Sequence, residues 1–318
     1  MEQPTELDAR SVSQETEIAS SPIPFTEQLK YLVVSLRPVQ WIKNLFIFAA
    51  LIFGGHLMDV GDLMTTALGF LSFSLVSSAV YLYNDISDIE QDRLHPTKSS
   101  RPLPAGLLSK ALAAGAAAVL VVGGLIMAFA LNLSFGIVVS LYVLINVSYS
   151  RGLKNVVILD VICIASGFVL RVIGGGVLIH VPISEWLILC TLLLSLFLGF
   201  SKRSTELVTV TGGSSQTRSV LGHYSAHFLD QMISIVTATT VMCYALYTIS
   251  SQTVEKFGTR HLIYTVPFVL YGIFRYLYLT EKKAGGEDVA KTLLTDTSLI
   301  VNLFLWVAVA TLIIYVRI

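Results

Sequence analysis

The stretch LMTTALGFLSFSLVSSAVYLY (residues 63–83) contains no charged residue, and it runs directly into the polar segment NDISDIEQDR (residues 84–93). A helix needs about 20 apolar residues to cross the hydrocarbon core of a bilayer. The apolar stretch is long enough for one crossing, and it lacks the alternation of apolar and polar residues found in membrane β-barrels. It therefore predicts a membrane-spanning helix with a polar segment at one end.

Further apolar runs of this kind occupy most of the chain. Together the nine runs cover about residues 44–58, 63–83, 108–130, 134–149, 157–179, 185–201, 229–250, 262–279 and 298–316. The composition agrees, since 54% of the residues are hydrophobic and 13% are charged, about half the charged share of a soluble domain. A net charge of zero excludes a broad basic surface for nucleic acid. We predict an all-α integral membrane protein, a bundle of nine transmembrane helices.

The lysines and arginines between the runs predict the orientation. One side carries Lys30, Arg37, Lys43, Arg93, Lys98, Arg101, Lys110, Arg151, Lys154, Lys202, Arg203, Arg218, Lys282, Lys283 and Lys291, and the other carries Lys256, Arg260 and Arg317. Because cytoplasmic loops are enriched in basic residues, the first side is predicted to be cytoplasmic. We expect a multi-pass protein of the cytoplasmic membrane with its N-terminus inside, its C-terminus outside and most of its polar segments facing the cytoplasm.

The N-terminal part of the chain differs in composition from the rest. Residues 1–27 are rich in Ser, Thr, Glu and Pro, and they lack the long apolar region of a signal peptide. We predict a disordered cytoplasmic tail over residues 1–27 and a single transmembrane domain over residues 28–318. Residues 28–43 (QLKYLVVSLRPVQWIK) mix apolar and basic residues, which predicts a short interfacial helix before the first span.

The polar segment after the second run carries a regularly spaced acidic cluster. Asp85, Asp88 and Asp92 are spaced i, i+3 and i+7, so one helix would place the three carboxylates on one face, with Asn84 at its border. Mg²⁺ prefers oxygen ligands and often binds one or two carboxylates together with substrate phosphates. We predict that these four residues hold Mg²⁺. The alternative is a solvated acidic helix end.

Basic residues follow the acidic cluster in HPTKSSRP (residues 95–102), whose prolines break the helix and stiffen the loop. Arg93, Lys98 and Arg101 are predicted to face back toward the carboxylates. Acidic groups that hold a metal beside basic groups that hold phosphate indicate a metal-diphosphate site. The alternative is that these cations only set the topology.

Several motifs, in order along the chain, resemble one family. The matching pieces are RPVQWIKN (37–44), NDISDIEQDRLHPTKSSRP (84–102), YSRGLKNVVILD (149–160), GFVLRVIGG (167–175), SKRSTEL (201–207) and FRYLYL (274–279). They are similar to the UbiA superfamily of intramembrane prenyltransferases and, within it, to the decaprenyl-phosphate phosphoribosyltransferase branch. The resemblance implies a helical bundle with a central cavity open to lipid.

This resemblance implies one of two Mg²⁺-dependent reactions. Typical members attach the prenyl group of a prenyl diphosphate to an aromatic acceptor, whereas the branch transfers 5-phosphoribose from phosphoribosyl diphosphate to a polyprenyl phosphate for cell-envelope glycans such as arabinan. Typical members also carry a second Asp-rich motif after the sixth helix. Residues 201–228 contain no Asp, and Lys202 and Arg203 there suit an additional phosphate. This departure favours phosphoribosyl transfer.

The resemblance also suggests roles for a second polar cluster, formed by Tyr149, Lys154 and Asp160. Lys154 could bind a diphosphate oxygen, and Asp160 could complete the metal shell or bind ribose hydroxyls. The alternative is an ordinary short loop with a lysine that sets topology.

Two arginines lie within apolar runs. Arg171 is about 14 residues into the fifth run and needs a partner or a cavity at that depth. Arg171 could bind the lipid phosphate, or it could form a structural pair with another buried polar group. Arg275 could bind phosphate or could extend to the interface. The adjacent Gly174–Gly176 could allow close helix packing or loosen the helix.

The three cysteines, Cys163, Cys190 and Cys243, fall inside predicted spans and are widely separated in sequence. Buried cysteines behave as small hydrophobic residues. No redox role is predicted for them.

In this interpretation four residues are catalytic, namely Asp85, Asp88, Asp92 and Lys154. Substrate binding is assigned to Lys43, Asn84, Arg93, Lys98, Arg101, Tyr149, Asp160, Arg171, Lys202, Arg203 and Arg275. The expected partners are phosphoribosyl diphosphate, a polyprenyl phosphate and the lipid bilayer. A second copy of the chain, in a homo-oligomer, is a further possible partner. A non-enzymatic transporter is a further alternative, disfavoured because transporters usually place ionisable residues near the bilayer midplane.

Overall fold

The computed structural model describes residues 23–95, 97–211, 219–282, 292 and 295–316. Most of the predicted tail therefore lies outside the described residues, as do Pro96, Arg218, Lys283, Lys291 and Arg317. Residues 25–27, the last of the predicted tail, belong to the α-helix Phe25–Ser35.

The described residues contain nine helical segments that are long and apolar enough to cross a membrane. Their bounds are Phe25–Gly54, Val60–Ser87, Lys110–Leu131, Leu133–Arg151, Leu159–Leu178, Glu185–Val208, Ala226–Ile249, His261–Glu281 and Thr297–Val316. These segments are called the first to ninth spans below. They confirm the predicted helical class and the number of spans, and the described residues contain no strand.

The first span differs from the prediction of a separate interfacial helix followed by a run over residues 44–58. It consists of an α-helix at Phe25–Ser35, a 3₁₀ helix at Pro38–Phe48 and an α-helix at Ala49–Gly54. The break falls where Pro38 disfavours helical conformation at the preceding residue. That residue, Arg37, adopts a left-handed conformation with φ 54°. The backbone therefore changes direction at a basic residue.

The second and fifth spans form the centre of the bundle, with 56% and 61% of their most apolar stretches buried. The 3₁₀ part of the first span packs against both of them. Hydrogen bonds reinforce this packing, because Asn44 Nδ2 donates to Ser74 Oγ at 3.0 Å and to Ser77 Oγ at 3.2 Å. Neighbouring spans from the second to the seventh pack in chain order, and the eighth span packs against the ninth.

Gly175 in the fifth span allows the closest approach to the first span. A Cβ atom at this position would lie 2.0 Å from the carbonyl oxygen of Ile47, a backbone atom that cannot move away by a change of rotamer. Of the two roles left open for the glycines, the geometry at Gly175 supports close helix packing.

We expect Gly175→Ala to lower the free energy of unfolding by about 2–3 kcal/mol, because the added methyl forces the two spans apart. Thermal unfolding of the purified protein in detergent would measure this loss. Gly123→Ala is the matched control, since nothing lies within 4 Å of its Cβ position in the third span. Equal stability of the two variants would contradict the packing argument.

Candidate functional site

The acidic cluster lies where the second span ends. The helix stops at Ser87, Asp88 is its C-cap, and a short helix resumes over Ile89–Arg93. Asp85, Asp88 and Asp92 are 3%, 7% and 4% exposed. The prediction of one continuous helical face is therefore wrong at Asp88. The carboxylates are nevertheless buried, and such groups need cations nearby.

Two arginines supply positive charge to Asp85 and Asp92. Arg37 Nη2 lies 2.5 Å from Asp85 Oδ1. Arg101 Nη1 lies 3.3 Å from Asp85 Oδ1 and 2.7 Å from Asp92 Oδ2. Lys98 Nζ is 3.9 Å from Asp92 Oδ1. The predicted orientation of Lys98 and Arg101 toward the acidic cluster agrees with these distances.

Lys154 neutralises the third carboxylate. It lies in the 3₁₀ turn Leu153–Asn155 that follows the fourth span. Its ammonium group contacts the Asp88 carboxylate, and the Lys154 side chain is 8% exposed. This contact joins the ends of the second and fourth spans. Asn84 joins the same two spans, because its Oδ1 accepts a hydrogen bond from Ser150 Oγ at 3.1 Å.

Arg37 is the site residue that sequence reasoning missed. Its guanidinium packs over the Tyr81 ring, 5.1 Å from the centroid, as well as pairing with Asp85. The signal in the sequence was a basic residue directly before Pro38 in a matching motif. Because Arg37 and Asp85 are 48 residues apart, no local pattern links them.

Arg93 does not face the acidic cluster, so that expectation was wrong. Its guanidinium lies 3.3 Å from Glu90 Oε1, and its Nε donates to the Pro104 carbonyl oxygen at 3.3 Å. The Arg93 side chain is 52% exposed. A residue directly after Asp92 on a helix is rotated by about 100°, which turns Arg93 away from the carboxylates.

The second predicted cluster is assembled differently from the expectation. Asp160 Oδ2 accepts a hydrogen bond from Arg203 Nε at 2.6 Å, and both side chains are fully buried. Asp160 Oδ1 accepts a hydrogen bond from the Tyr224 hydroxyl at 2.7 Å. Arg203 also contacts the Tyr149 hydroxyl at 3.2 Å and Glu206 at 2.5 Å. This group of residues is called the Asp160–Arg203 network.

The Asp160–Arg203 network joins the fifth and sixth spans, and it bears on three assignments. Both oxygens of Asp160 already have partners, so the roles in the metal shell or at ribose hydroxyls are not supported. Arg203 is enclosed and paired, and it contacts the hydroxyl of the half-buried Tyr149. The assignment of Tyr149 to substrate stays a prediction. Burial raises the pKa of Tyr224 to about 12, so its hydroxyl keeps the proton that it donates to Asp160.

Arg171 has a structural environment and is 4% exposed. Its Nε donates to Asn44 Oδ1 at 2.7 Å, its Nη1 to the Gly167 carbonyl oxygen at 2.7 Å, and its Nη2 to the Tyr142 hydroxyl at 3.1 Å. The guanidinium also lies 4.7–5.8 Å from the centroids of three aromatic rings, those of Phe73, Tyr142 and Phe168. These contacts favour the structural alternative over the assigned role in lipid phosphate binding.

Arg275 is paired with Asp296, through distances of 2.8 Å from Nη2 to Oδ2 and 3.3 Å from Nε to Oδ1. This bidentate pair links the eighth span to the start of the ninth. The assignment of Arg275 to phosphate binding stays a prediction. Lys43 and Lys202 are half-buried, and their assignment to substrate stays a prediction.

The carboxylates suit Mg²⁺ in part. Among the described residues, no three His, Cys, Asp or Glu side chains form a group that could hold a metal ion, so the predicted shell of Asn84, Asp85, Asp88 and Asp92 is not assembled. A single nitrogen of Arg101 contacts both Asp85 and Asp92, so the two carboxylates face the same point. This pair fits a Mg²⁺ ion whose other ligands are phosphate oxygens and water.

Comparisons with known proteins agree with this arrangement of helices. The model of the UbiA prenyltransferase family matches residues 44–308. A decaprenyl-phosphate phosphoribosyltransferase of Mycolicibacterium smegmatis is 31% identical, over 88% of this chain and 91% of its own length. One from Mycobacterium tuberculosis is 32% identical, over 87% and 92%.

A solved structure has the same fold. It is a UbiA homologue from Archaeoglobus fulgidus bound to GPP and Mg²⁺, with a TM-score of 0.69 at 20% identity. The similarity covers 90% of this chain and 99% of that one.

Proposed function

Because this chain belongs to the UbiA prenyltransferase family, we propose that it transfers 5-phosphoribose from phosphoribosyl diphosphate to a polyprenyl phosphate. Relatives named decaprenyl-phosphate phosphoribosyltransferase match it over nearly their whole length, which supports this reaction. The observation in the structure that carries the proposal is the set of basic side chains on the buried carboxylates. Arg37, Arg101 and Lys154 lie where a substrate rich in phosphate needs positive charge.

In the proposed reaction the bond between ribose C1 and the diphosphate breaks, and a phosphate oxygen of the lipid bonds to C1. Arg37, Lys98 and Arg101 offset the negative charge that grows on the departing diphosphate. Lys154 adds a further positive charge, in a position set by Asp88. The acceptor phosphate is already ionised at pH 7, so the reaction needs no general base.

Mg²⁺ is the proposed cofactor, and Asp85 and Asp92 are the residues that would hold it. When bound, the ion would supply positive charge to the diphosphate. The arginines that now occupy these carboxylates would then be available to phosphate oxygens. The Mg²⁺ in the Archaeoglobus homologue makes the same cofactor reasonable for this member of the family.

The site is proposed to face the cytoplasm, and the bias of lysine and arginine between the spans supports this orientation. The lipid product would carry a pentose to cell-envelope glycans such as arabinan. The bilayer holds the polyprenyl chain while its phosphate reaches the polar end of the bundle.

A transfer assay tests the reaction. Purified protein in detergent with Mg²⁺ is incubated with labelled phosphoribosyl diphosphate and a polyprenyl phosphate, and we expect a labelled lipid that does not form when Mg²⁺ is chelated. A parallel reaction supplies prenyl diphosphate and an aromatic acid. Product only in the parallel reaction would replace the proposal by aromatic prenyl transfer.

We expect Arg37→Ala to lower kcat/KM for the phosphoribosyl donor by about 10- to 100-fold, because it removes a charge-assisted contact to phosphate. Steady-state kinetics over a range of donor concentrations would measure the loss, and Arg37→Lys should recover part of it. Arg93→Ala is the matched control, since Arg93 contacts Glu90 and Pro104. Equal kinetics for Arg37→Ala and Arg93→Ala would contradict the role of Arg37.

A further inference from the structure

Two of the three cysteines are neighbours in space although they lie 53 residues apart in the chain. Cys190 belongs to the sixth span and Cys243 to the seventh, and their Sγ atoms are 3.4 Å apart. Both thiols are free. The sequence interpretation treated the cysteines as separate hydrophobic residues, and it did not anticipate this contact.

The pair lies at the end of the bundle opposite the acidic cluster. Cys190 follows the start of the sixth span at Glu185, and Cys243 precedes the end of the seventh span at Ile249. The other end of the sixth span carries Arg203 and the Asp160–Arg203 network. In the proposed orientation the two thiols are therefore near the outer face of the membrane, where disulfides persist.

A cavity lies about one helical turn from the two thiols. It has a volume of about 200 Å³, and Leu187 and Tyr247 line it. Leu187 is three positions before Cys190, and Tyr247 is four positions after Cys243, so each lies about one helical turn from a thiol. Lys256 at the same cavity shows that it extends to a polar segment between spans. An oxidant in this cavity would be separated from the pair by about one helical turn.

We propose that Cys190 and Cys243 are an oxidisable thiol pair that forms an intramolecular disulfide between the outer ends of the sixth and seventh spans. Each thiol loses its proton, the two sulfurs share one new bond, and two electrons pass to a two-electron thiol oxidant. The Sγ atoms must move from 3.4 Å apart to about 2.05 Å. This site is independent of the transfer reaction.

The test counts thiols that become reducible after oxidation. The full-length protein in detergent is treated with diamide, which accepts two electrons and two protons. Free thiols are blocked with N-ethylmaleimide, the protein is denatured and reduced, and the released thiols are labelled with a maleimide of high mass. We expect two labels on the wild type and on Cys163→Ala, and none on Cys190→Ala or Cys243→Ala.

Three outcomes would overturn the proposal. These are an unlabelled wild type, labels that persist in Cys190→Ala, and a dimer on non-reducing gels whose yield rises with protein concentration. If a cysteine variant fails to fold, mass spectrometry of the digested wild type decides. The cross-linked peptide containing Cys190 and Cys243 supports the pair, whereas its absence after oxidation refutes it.

Discussion

Replacing Asp85 by asparagine is expected to lower kcat for phosphoribosyl transfer by about 10²- to 10³-fold, the range seen when one preorganised electrostatic contact to a transition state is removed. Asp85 lies at the centre of the site, because Arg37 and Arg101 both contact its carboxylate. Asparagine keeps the shape of the side chain and removes its charge. The transfer assay at saturating substrate would measure the loss, and a Mg²⁺ titration should reach half-maximal activity at a higher Mg²⁺ concentration than in the wild type.

Glu90→Gln is the matched control for Asp85→Asn. Glu90 belongs to the same acidic segment, but its side chain is 78% exposed and contacts Arg93. We expect this variant to retain activity within about twofold, since exposed ion pairs contribute little. If Asp85→Asn also kept nearly full activity, the acidic cluster would not be the catalytic site.

The second large effect is on stability. Arg203→Met should lower the free energy of unfolding by about 3–5 kcal/mol, because it leaves the fully buried carboxylate of Asp160 without its charged partner. Unfolding in detergent, followed by helical content, would measure the change. Lys110→Met, at an exposed position at the start of the third span, should stay within about 0.5 kcal/mol of the wild type.

A double variant separates the structural role of Arg203 from a role in substrate binding. Asp160→Leu combined with Arg203→Met removes both charges, and it should recover much of the stability lost in the single variant. A phosphate-binding Arg203 would behave differently. Its replacement would raise the KM for the donor at unchanged stability. Adding Asp160→Leu would then not lower the KM again.

The spans could be predicted from sequence because hydropathy is a local property of about 20 residues. The boundaries were less accurate where helices are irregular. The sequence interpretation placed the start of the first crossing at residue 44, whereas the helical segment begins at Phe25 and changes type at Pro38. The apolar 3₁₀ stretch Pro38–Phe48 looks like an ordinary helix in sequence, since composition does not distinguish the two helix types.

The site was predictable where its residues are close in the chain. Asp85, Asp92 and Arg101 lie within one quoted motif, and they meet in the structure. Contacts between distant segments could not be read from one sequence, and Arg203 shows the consequence. Its partner Asp160 is 43 residues away, so a buried ion pair was interpreted as a phosphate contact. One sequence does not show whether an isolated basic residue near a loop is enclosed by other helices.

The hydrogen bond between Asn44 and Arg171 has a consequence for biosynthesis. These residues are 127 positions apart, which corresponds to roughly 6–25 s of translation at 5–20 residues per second. If the first span inserts as it is made, Asn44 Oδ1 has no Arg171 donor during that delay. Arg171 then enters a bilayer that already contains its acceptor Asn44 and two of its aromatic neighbours, Phe73 and Tyr142. The order of synthesis thus provides a prepared environment for a charge that is costly to insert alone.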